Sequence, residues 1–125
     1  MDNDKTNKRR SQRVAASLPV TWVRRGRRFQ CATADIGADG MFLRTDEEID
    51  PGYLMQLEVQ LPGEALPVLM FVSARFVGRT ERGKGIGAQI YVVSEQDRKR
   101  WNRFYRAQVA SVLAASAEEP RAQFA

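Results

Sequence analysis

The sequence predicts a mainly β domain, an antiparallel barrel or sandwich, followed by one C-terminal α-helix. Short segments rich in β-branched and aromatic residues recur between residues 18 and 93, separated by turns that contain glycine or proline. This pattern is typical of antiparallel sheets. After residue 93 the apolar residues recur every three to four positions, which is the period of an amphipathic helix. With 125 residues, the chain is long enough for one domain with a buried core.

The composition argues against an enzyme. The chain has no histidine and a single cysteine, Cys31. It therefore cannot form a Ser–His or Cys–His nucleophile or a histidine-containing zinc site, and we predict no metal site. A lone cysteine excludes an internal disulfide and favours a reducing compartment. No apolar run approaches the roughly 18–20 residues that cross a membrane, and the N-terminus is too polar for a signal peptide. We therefore expect a cytoplasmic protein without membrane insertion.

The net charge of +5 is concentrated at the N-terminus. Residues 1–28 hold nine Lys and Arg against two Asp, whereas the remaining residues hold 11 basic and 13 acidic side chains. Residues 1–13 contain few core residues, so we predict a flexible basic arm, with residues 1–12 disordered when no ligand is bound. Arg9 and Arg13 can each capture phosphate or the O6/N7 edge of guanine with two hydrogen bonds. The alternative is a solvated basic run that binds nothing.

Six strands are predicted in the domain that follows, residues 14–116. They are Leu18–Val23, Phe29–Ala34, Met41–Arg44, Tyr53–Leu61, Leu66–Val77 and Ile86–Val93. The first two form a hairpin across the basic turn 24–28, and the segment 78–85 is predicted to be a turn because it is rich in Arg and Gly. Arg75 is a polar interruption in the fifth strand, and Gly87 is a candidate β-bulge in the sixth.

Acids and glycines are concentrated between the second and third predicted strands, in Asp35-Ile36-Gly37-Ala38-Asp39-Gly40. Two glycines in six residues indicate positive φ or a close approach of the backbone to another group. The Asp35 carboxylate can accept hydrogen bonds from guanine N1–H and N2–H₂, which adenine does not offer. The alternative for Asp35 is a turn cap that bonds its own backbone.

One helix is predicted from about residue 95 to residue 116. Ser94 with an acid three residues later resembles a capping box. The apolar stripe is Trp101, Phe104, Tyr105, Gln108, Val109, Val112 and Leu113, and we expect it to pack on the sheet chiefly through Trp101, Phe104, Tyr105 and Val109. The basic face, Arg98, Lys99, Arg100, Arg103 and Arg106, is predicted to be solvated. Residues 117–125 are predicted to fray.

Two motifs in this order resemble the signatures of the PilZ domain family. Arg9-Arg10-Ser11-Gln12-Arg13 matches R-x-x-x-R, and the segment from Asp35 to Gly40 matches [D/N]-x-S-x-x-G except at Gly37. Leu18-Pro19-Val20, Gly40-Met41-Phe42-Leu43 and Gly85-Ile86-Gly87-Ala88-Gln89 extend the likeness over about residues 8–110. The resemblance implies a six-stranded antiparallel PilZ-like β-barrel with a C-terminal α-helix. It also implies binding of the bacterial second messenger cyclic di-GMP.

The resemblance further implies which residues bind cyclic di-GMP. They are Arg9, Arg13, Asp35, Gly37 and Gly40, and the secondary candidates are Lys8, Arg10 and Trp22. We expect no cofactor besides this ligand. Trp22 is better explained as a core residue than as a stacking platform. Gly37 stands where the family has serine, so only its backbone N–H remains for a contact. One lost neutral hydrogen bond weakens binding by roughly a few-fold to tenfold.

The main hypothesis is a cyclic di-GMP receptor whose arm becomes ordered against the barrel and thereby creates or hides a surface for a downstream protein. The alternative is a degenerate PilZ-like adaptor that binds its protein partner without nucleotide, and Gly37 favours it. A third hypothesis, a nucleic-acid binder, lacks a groove-reading motif, so we expect no specific nucleic acid. The stoichiometry of the ligand, one molecule or a stacked pair, and the oligomeric state stay open.

Overall fold

The structure is a computed structural model that describes the backbone of residues 12–124 and the side chains of residues 12–116. Its elements are β1 (Val14–Ala15), β2 (Pro19–Arg24), β3 (Arg27–Ile36), β4 (Gly40–Arg44), β5 (Leu54–Val59), β6 (Val68–Thr80), β7 (Gly83–Val93) and α1 (Glu95–Phe124). The predicted disorder of residues 1–12 falls, except for Gln12, outside the described residues.

Strands β2 to β7 form a closed antiparallel barrel. Its strand order is β3-β2-β5-β6-β7-β4, and an additional pairing of β3 with β4 closes the ring. Closure leaves no free sheet edge in the ring, which stabilises a small antiparallel sheet. The predicted six-stranded barrel with a C-terminal helix is therefore confirmed. The short strand β1 pairs with β3 outside the ring, and it was not predicted because two residues have no periodicity.

The core of the barrel is built by alternate residues of each strand. On β5, Met55, Leu57 and Val59 are fully buried, whereas Leu54 and Gln56 are exposed and Glu58 is half-buried. This is the period of two that a strand with one buried face produces. The Trp101 and Tyr105 side chains of α1 belong to the same buried cluster, with Phe104 and Val109 packed against it. Helix and barrel thus share one core, as predicted.

The hairpin β6–β7 is longer than the sequence predicted. The strand ladder continues through Gly78 and Gly85 to the pair Thr80–Gly83, which leaves only residues 81–82 in the turn. A Cβ at Gly85 would lie 2.0 Å from the carbonyl oxygen of Leu43 on β4. Gly85 is therefore a strand residue where two backbones approach closely, and not a turn residue.

A β-bulge lies next to Gly87, but the extra residue is on the partner strand. Ala74 pairs with Ala88 and Phe76 with Gly87, which leaves Arg75 unpaired on β6. A bulge shifts the alternation of inward and outward side chains by one position. As a consequence the Phe76 side chain is 46% exposed, although regular alternation from Ala74 would place it in the core.

Helix α1 begins as predicted and ends later. The Ser94 hydroxyl accepts a hydrogen bond from the Asp97 N–H at 3.1 Å, which is an N-cap. The helix continues to Phe124 and so passes the predicted end near residue 116, because residues 114–119 are mostly alanine and glutamate, strong helix formers. The apolar stripe packs only as far as Val109, and Val112 and Leu113 are exposed. The predicted fraying of residues 117–125 stays a prediction.

The prediction of a solvated basic face is wrong for two of its arginines. Arg100 is ion-paired with Glu64 and Asp97, and it also donates to the carbonyl oxygens of Leu66 and Pro67. Arg98 contacts the loop before β4. Lys99, Arg103 and Arg106 are exposed, as predicted. In the described part of the chain, no helix is both long and apolar enough to span a bilayer.

Candidate functional site

The two sequence motifs meet where β1 pairs with β3. The register aligns Val14 with Ile36 and Ala15 with Asp35, so the residue before β1, Arg13, lies beside the end of β3. Its Nη1 donates a hydrogen bond to Asp35 Oδ1 at 2.9 Å. The predicted site residues Arg13 and Asp35, which are 22 positions apart, are therefore in direct contact.

Asp35 is a buried carboxylate, and one of its oxygens accepts no hydrogen bond within the described part of the chain. The residue is only 5% exposed. Oδ1 is bonded to Arg13, whereas the buried Oδ2 accepts no hydrogen bond from any described residue. Burying an unsatisfied acceptor is costly, about 1–3 kcal/mol, and such groups are uncommon in folded proteins. Oδ2 thus has no aligned hydrogen-bond donor among the described residues.

A second guanidinium lies against the same carboxylate. Arg82, in the turn between β6 and β7, has its Nε 2.9 Å from Asp35 Oδ2. This contact is an ion pair without a hydrogen bond, because the N–H is not aimed at the oxygen. Two arginines against one carboxylate leave the site with a net positive charge, which favours an anionic ligand.

Helix α1 holds the loop between β3 and β4. The indole Nε1 of Trp101 donates to the carbonyl oxygen of Gly37 at 3.1 Å. One turn earlier, Arg98 Nη1 donates to the carbonyl oxygen of Ala38 at 2.9 Å. Because Trp101 is fully buried in the shared core, the position of the loop is fixed by the packing of the helix. This loop follows Asp35 directly.

Gly37 differs from its prediction in one respect. The sequence left its backbone N–H available for a ligand, but this N–H donates to the carbonyl oxygen of Gly40 at 2.8 Å. The reason is the tight return of the chain from β3 into β4, which brings the two residues together. Both backbone polar groups of Gly37 are therefore already bonded inside the protein.

Gly40 provides a close backbone approach, as predicted, but towards the protein itself. A Cβ at this position would lie 2.4 Å from the carbonyl oxygen of Ala88 on β7 and 3.2 Å from Arg13 Nη2. Glycine is thus required for β4 to pair with β7. It also leaves the space in which the Arg13 guanidinium lies.

Gln12, at the described end of the arm, is joined to the helix by a partly buried hydrogen bond. The Tyr105 hydroxyl donates to the carbonyl oxygen of Gln12 at 2.5 Å. Burial raises the pKa of the Tyr105 phenol above its ordinary value, so it remains a donor throughout the neutral range. Through this contact the backbone next to Arg13 is fixed against α1.

A cleft of about 310 Å³ opens beside Arg13 and Gly40, and Arg75, Phe76 and Gln89 also line it. The bulge described above exposes the Phe76 ring here. Arg75 donates to Gln89 Oε1 at 3.0 Å, a neutral partner, and it forms no ion pair with the described residues. Asp39 also lines the cleft, and its carboxylate is paired with Arg98 at 3.6 Å. The two arginines and the exposed aromatic ring suit an anionic ligand that carries a base.

A larger cleft, about 690 Å³ and lined by Arg24, Glu48 and Lys84 among others, lies away from both motifs. Its cations have internal partners. Arg24 pairs with Glu47 at 3.2 Å and Lys84 with Glu48 at 3.0 Å. Size alone therefore does not mark the site. Arg13 lines the smaller cleft and is bonded to the buried Asp35 carboxylate.

The remaining predicted residues fall into two groups. Arg9, Lys8 and Arg10 lie outside the described residues. Trp22 is 1% exposed and belongs to the core cluster, which agrees with the core role and is wrong for a stacking platform. Its ring is covered by Arg24, whose guanidinium carbon lies 5.0 Å from the ring centre.

Sequence reasoning missed Arg82 and Phe76. Arg82 lies in a segment read only as a turn rich in Arg and Gly, and no local pattern connects it with a carboxylate 47 positions earlier. Phe76 lies on a strand for which the sequence analysis predicted no orientation of single side chains, and the bulge at Arg75 turns it outwards. The polar Arg75 within an apolar run was the available signal for that bulge.

The described residues offer recognition chemistry. Burial raises the pKa of the Cys31 thiol to about 11, so it is not a thiolate nucleophile at neutral pH. The described side chains contain no group of three or more Cys, Asp or Glu that could hold a metal ion. The Arg13–Asp35–Arg82 arrangement can exchange ion pairs and hydrogen bonds with a ligand.

Comparison with known proteins adds a family and a fold. A family model described as the PilZ domain matches residues 7–107. No curated protein matches the chain. Among solved structures, 14 chains match, including the structure of Bacillus subtilis Inhibitor of motility (MotI/DgrA), with a TM-score of 0.67 and 16% identity over 86% of this chain. This chain spans 52% of that structure's length, and at this identity the likeness shows the fold alone.

Proposed function

Because the chain belongs to the PilZ domain family, whose model covers residues 7–107, we propose that it is a receptor for cyclic di-GMP. PilZ domains are receptor and adaptor domains, which agrees with a site built for recognition. The observation that carries the proposal is the buried Asp35 carboxylate, bonded to Arg13 at Oδ1 and, among the described residues, without a hydrogen bond at Oδ2. Each motif contributes one of these two residues.

Asp35 would select guanine. The guanine N1–H and N2–H₂ point in one direction and can donate to both oxygens of a carboxylate, whereas adenine presents an acceptor at N1. Oδ2, which accepts no aligned hydrogen bond from the described residues, would gain one. The loop behind Asp35 is fixed by Trp101 and Arg98, so little ordering of the protein would be needed at this contact.

The arginines would hold the phosphates and the second base. Arg13 is 42% exposed at its side chain, and its guanidinium has N–H groups besides the one bonded to Asp35 that can bind a phosphate oxygen or a guanine O6/N7 edge. We extend this role to Arg9, four residues earlier, on the R-x-x-x-R signature. Phe76, exposed in the same cleft as Arg13, provides a face on which a base can stack.

Ligand binding would order the arm and present it to a partner protein. The contact of Tyr105 with the Gln12 carbonyl fixes the base of the arm on α1. A ligand that bridges Arg9, Arg13 and Asp35 would also fix the arm residues that precede Gln12. The resulting surface of arm and helix is where we expect a downstream protein to bind.

Gly37 is the observation that favours the second candidate, an adaptor that binds its partner without nucleotide. The family serine would add a hydroxyl, and the Gly37 N–H is already bonded to Gly40. The loss of one neutral hydrogen bond is worth about 0.5–1.5 kcal/mol, less than the charge-assisted contacts of Arg13 and Asp35. We therefore rank the receptor first.

Calorimetric titration tests the proposal. Cyclic di-GMP, GMP and duplex DNA are titrated into the protein at two salt concentrations, and we expect cyclic di-GMP to bind most tightly. Arg9→Ala, Arg13→Ala and Asp35→Ala should each weaken binding roughly ten- to a hundredfold, because each removes a charge-assisted contact of about 1.5–3 kcal/mol. Asp35→Ala should also reduce the preference for guanine over adenine.

The matched control is Arg103→Ala. It removes the same charge from an exposed position on α1, and its effect should be close to none. Gly37→Ser restores the family residue and should tighten binding by up to about tenfold. If millimolar cyclic di-GMP produces neither heat nor shifts of amide resonances, the receptor proposal is wrong and the adaptor takes its place.

A further inference from the structure

Arg82 covers a pair of residues on the outer surface of the barrel. Asp35 on β3 and Phe42 on β4 are register partners, and both are buried. Arg82 Nε lies 2.9 Å from Asp35 Oδ2, and its guanidinium carbon lies 5.1 Å from the centre of the Phe42 ring. The Arg82 side chain, itself 46% exposed, thus shields both partners from solvent.

The Arg82 guanidinium and the guanine edge proposed to bind Asp35 present similar planar sets of N–H donors. Guanine presents N1–H and N2–H₂ on one planar N–C–N unit, and a guanidinium presents N–H donors on a unit of the same shape. Both can donate to a carboxylate while a flat face lies on an aromatic ring. Because Arg82 occupies the Oδ2 side of Asp35 and the face of Phe42, a guanine cannot reach both carboxylate oxygens while Arg82 stays there.

We propose that Arg82 is an internal competitor of the nucleotide. It occupies the guanine position in the free protein and leaves this position when cyclic di-GMP binds. This inference rests on the proposed function, because it concerns the same carboxylate. It makes the affinity of the site depend on a residue that lies in neither signature motif.

The contacts of Arg82 are of a kind that a ligand can displace. The N–H is not aimed at Oδ2, so a guanine donor that aligns with this oxygen would make the better bond. Asp35 and Phe42 are buried, but the Arg82 side chain is itself 46% exposed, so its guanidinium can move into solvent while its two partners stay in place. The turn backbone is held separately, since the Arg82 N–H donates to the Thr80 hydroxyl at 3.0 Å, so only the side chain needs to move.

Calorimetry with cyclic di-GMP on Arg82→Ala and Arg79→Ala tests the inference. Arg79 lies on the same hairpin and is exposed, so its replacement removes the same charge without uncovering Asp35. We expect Arg82→Ala to bind about two- to tenfold more tightly than Arg79→Ala. Arg82→Lys keeps the charge but not the planar fork, and its affinity should fall between those of Arg82→Ala and the wild type. Thermal unfolding of each variant checks that it is folded.

The outcomes distinguish this inference from the proposed function on which it rests. If Arg82→Ala binds cyclic di-GMP no more tightly than Arg79→Ala, Arg82 is not a competitor of the nucleotide. Binding by the wild type would still support the receptor proposal in that case. Absence of binding by every protein, the wild type included, overturns both. A second readout is the Arg82 Nε–Hε resonance, which should shift when the wild type is saturated with ligand. A resonance that stays in place shows that Arg82 is not displaced and contradicts the inference.

Discussion

At the scale of single residues, the site is fixed by positions where no larger side chain fits. Gly40 has ordinary backbone geometry, yet a Cβ there would lie 2.4 Å from the Ala88 carbonyl oxygen. A contact this short forces β4 away from β7, and overpacking of this kind costs about 1–3 kcal/mol. It would also push the Arg13 guanidinium away, since its Nη2 lies 3.2 Å from the same point.

Gly40→Ala should therefore lower the free energy of unfolding by about 1–3 kcal/mol and weaken ligand binding as well. Urea unfolding followed by fluorescence measures the first effect. The control is Gly87→Ala on the neighbouring strand, where an added Cβ meets Phe76 Cβ at an ordinary 3.5 Å. Equal stabilities of the two variants would show that the β4–β7 pairing adjusts without cost, contrary to the expectation.

At the scale of elements, the helix is a support for the binding loop. Trp101 binds the Gly37 carbonyl and Arg98 binds the Ala38 carbonyl, and both side chains come from the first two turns of α1. The neighbouring strands contribute the rest: β1 brings Arg13 to Asp35, and the β6–β7 hairpin brings Arg82. Asp35 on β3 thus lies close to β1, to the β6–β7 hairpin and to the loop that α1 supports.

Trp101→Phe tests this support. The change retains most of the apolar packing but leaves the Gly37 carbonyl without its donor, which should cost about 1–3 kcal/mol. We expect faster amide exchange at residues 37–40 and weaker binding of cyclic di-GMP. Arg103→Ala, exposed on the same helix, is the control and should change neither. Unchanged exchange at the loop in Trp101→Phe would mean that the strands alone fix it.

The elements also show how much of the fold could be predicted from the sequence. The six barrel strands, the start of the helix and its packing residues could be predicted, because burial on one face leaves a clear period of two or 3.6. The ends of β6 and β7 could not, since Gly85 is selected by a neighbouring backbone that is distant in sequence.

The same distinction applies to the site. Arg13 and Asp35 lie in motifs that could be recognised from local order. The Arg82 contact, the orientation of Phe76 and the use of the Gly37 N–H depend on register, on a bulge and on a turn. These are properties of strand pairing, which a local pattern does not encode.

At the scale of the whole molecule, the barrel and helix form one packed unit. Trp22 on β2 and Trp101 on α1 belong to the same buried cluster, and both are almost fully buried. A helix that shares the barrel core cannot detach without exposing that core to water, which would cost much of the burial that stabilises so small a domain. Any displacement of α1 would therefore disturb the barrel core as well.

We accordingly expect unfolding to be a single cooperative transition. Trp22→Phe leaves Trp101 as the only tryptophan and reports on the helix, and Trp101→Phe leaves Trp22 and reports on β2. In each variant the fluorescence transition in urea should coincide with the loss of helical circular dichroism, as two-state behaviour requires. If instead the Trp101 signal and the helical signal change at lower urea than the Trp22 signal, the helix docks as a separate unit. The binding loop, held by that helix, would then be released before the barrel opens.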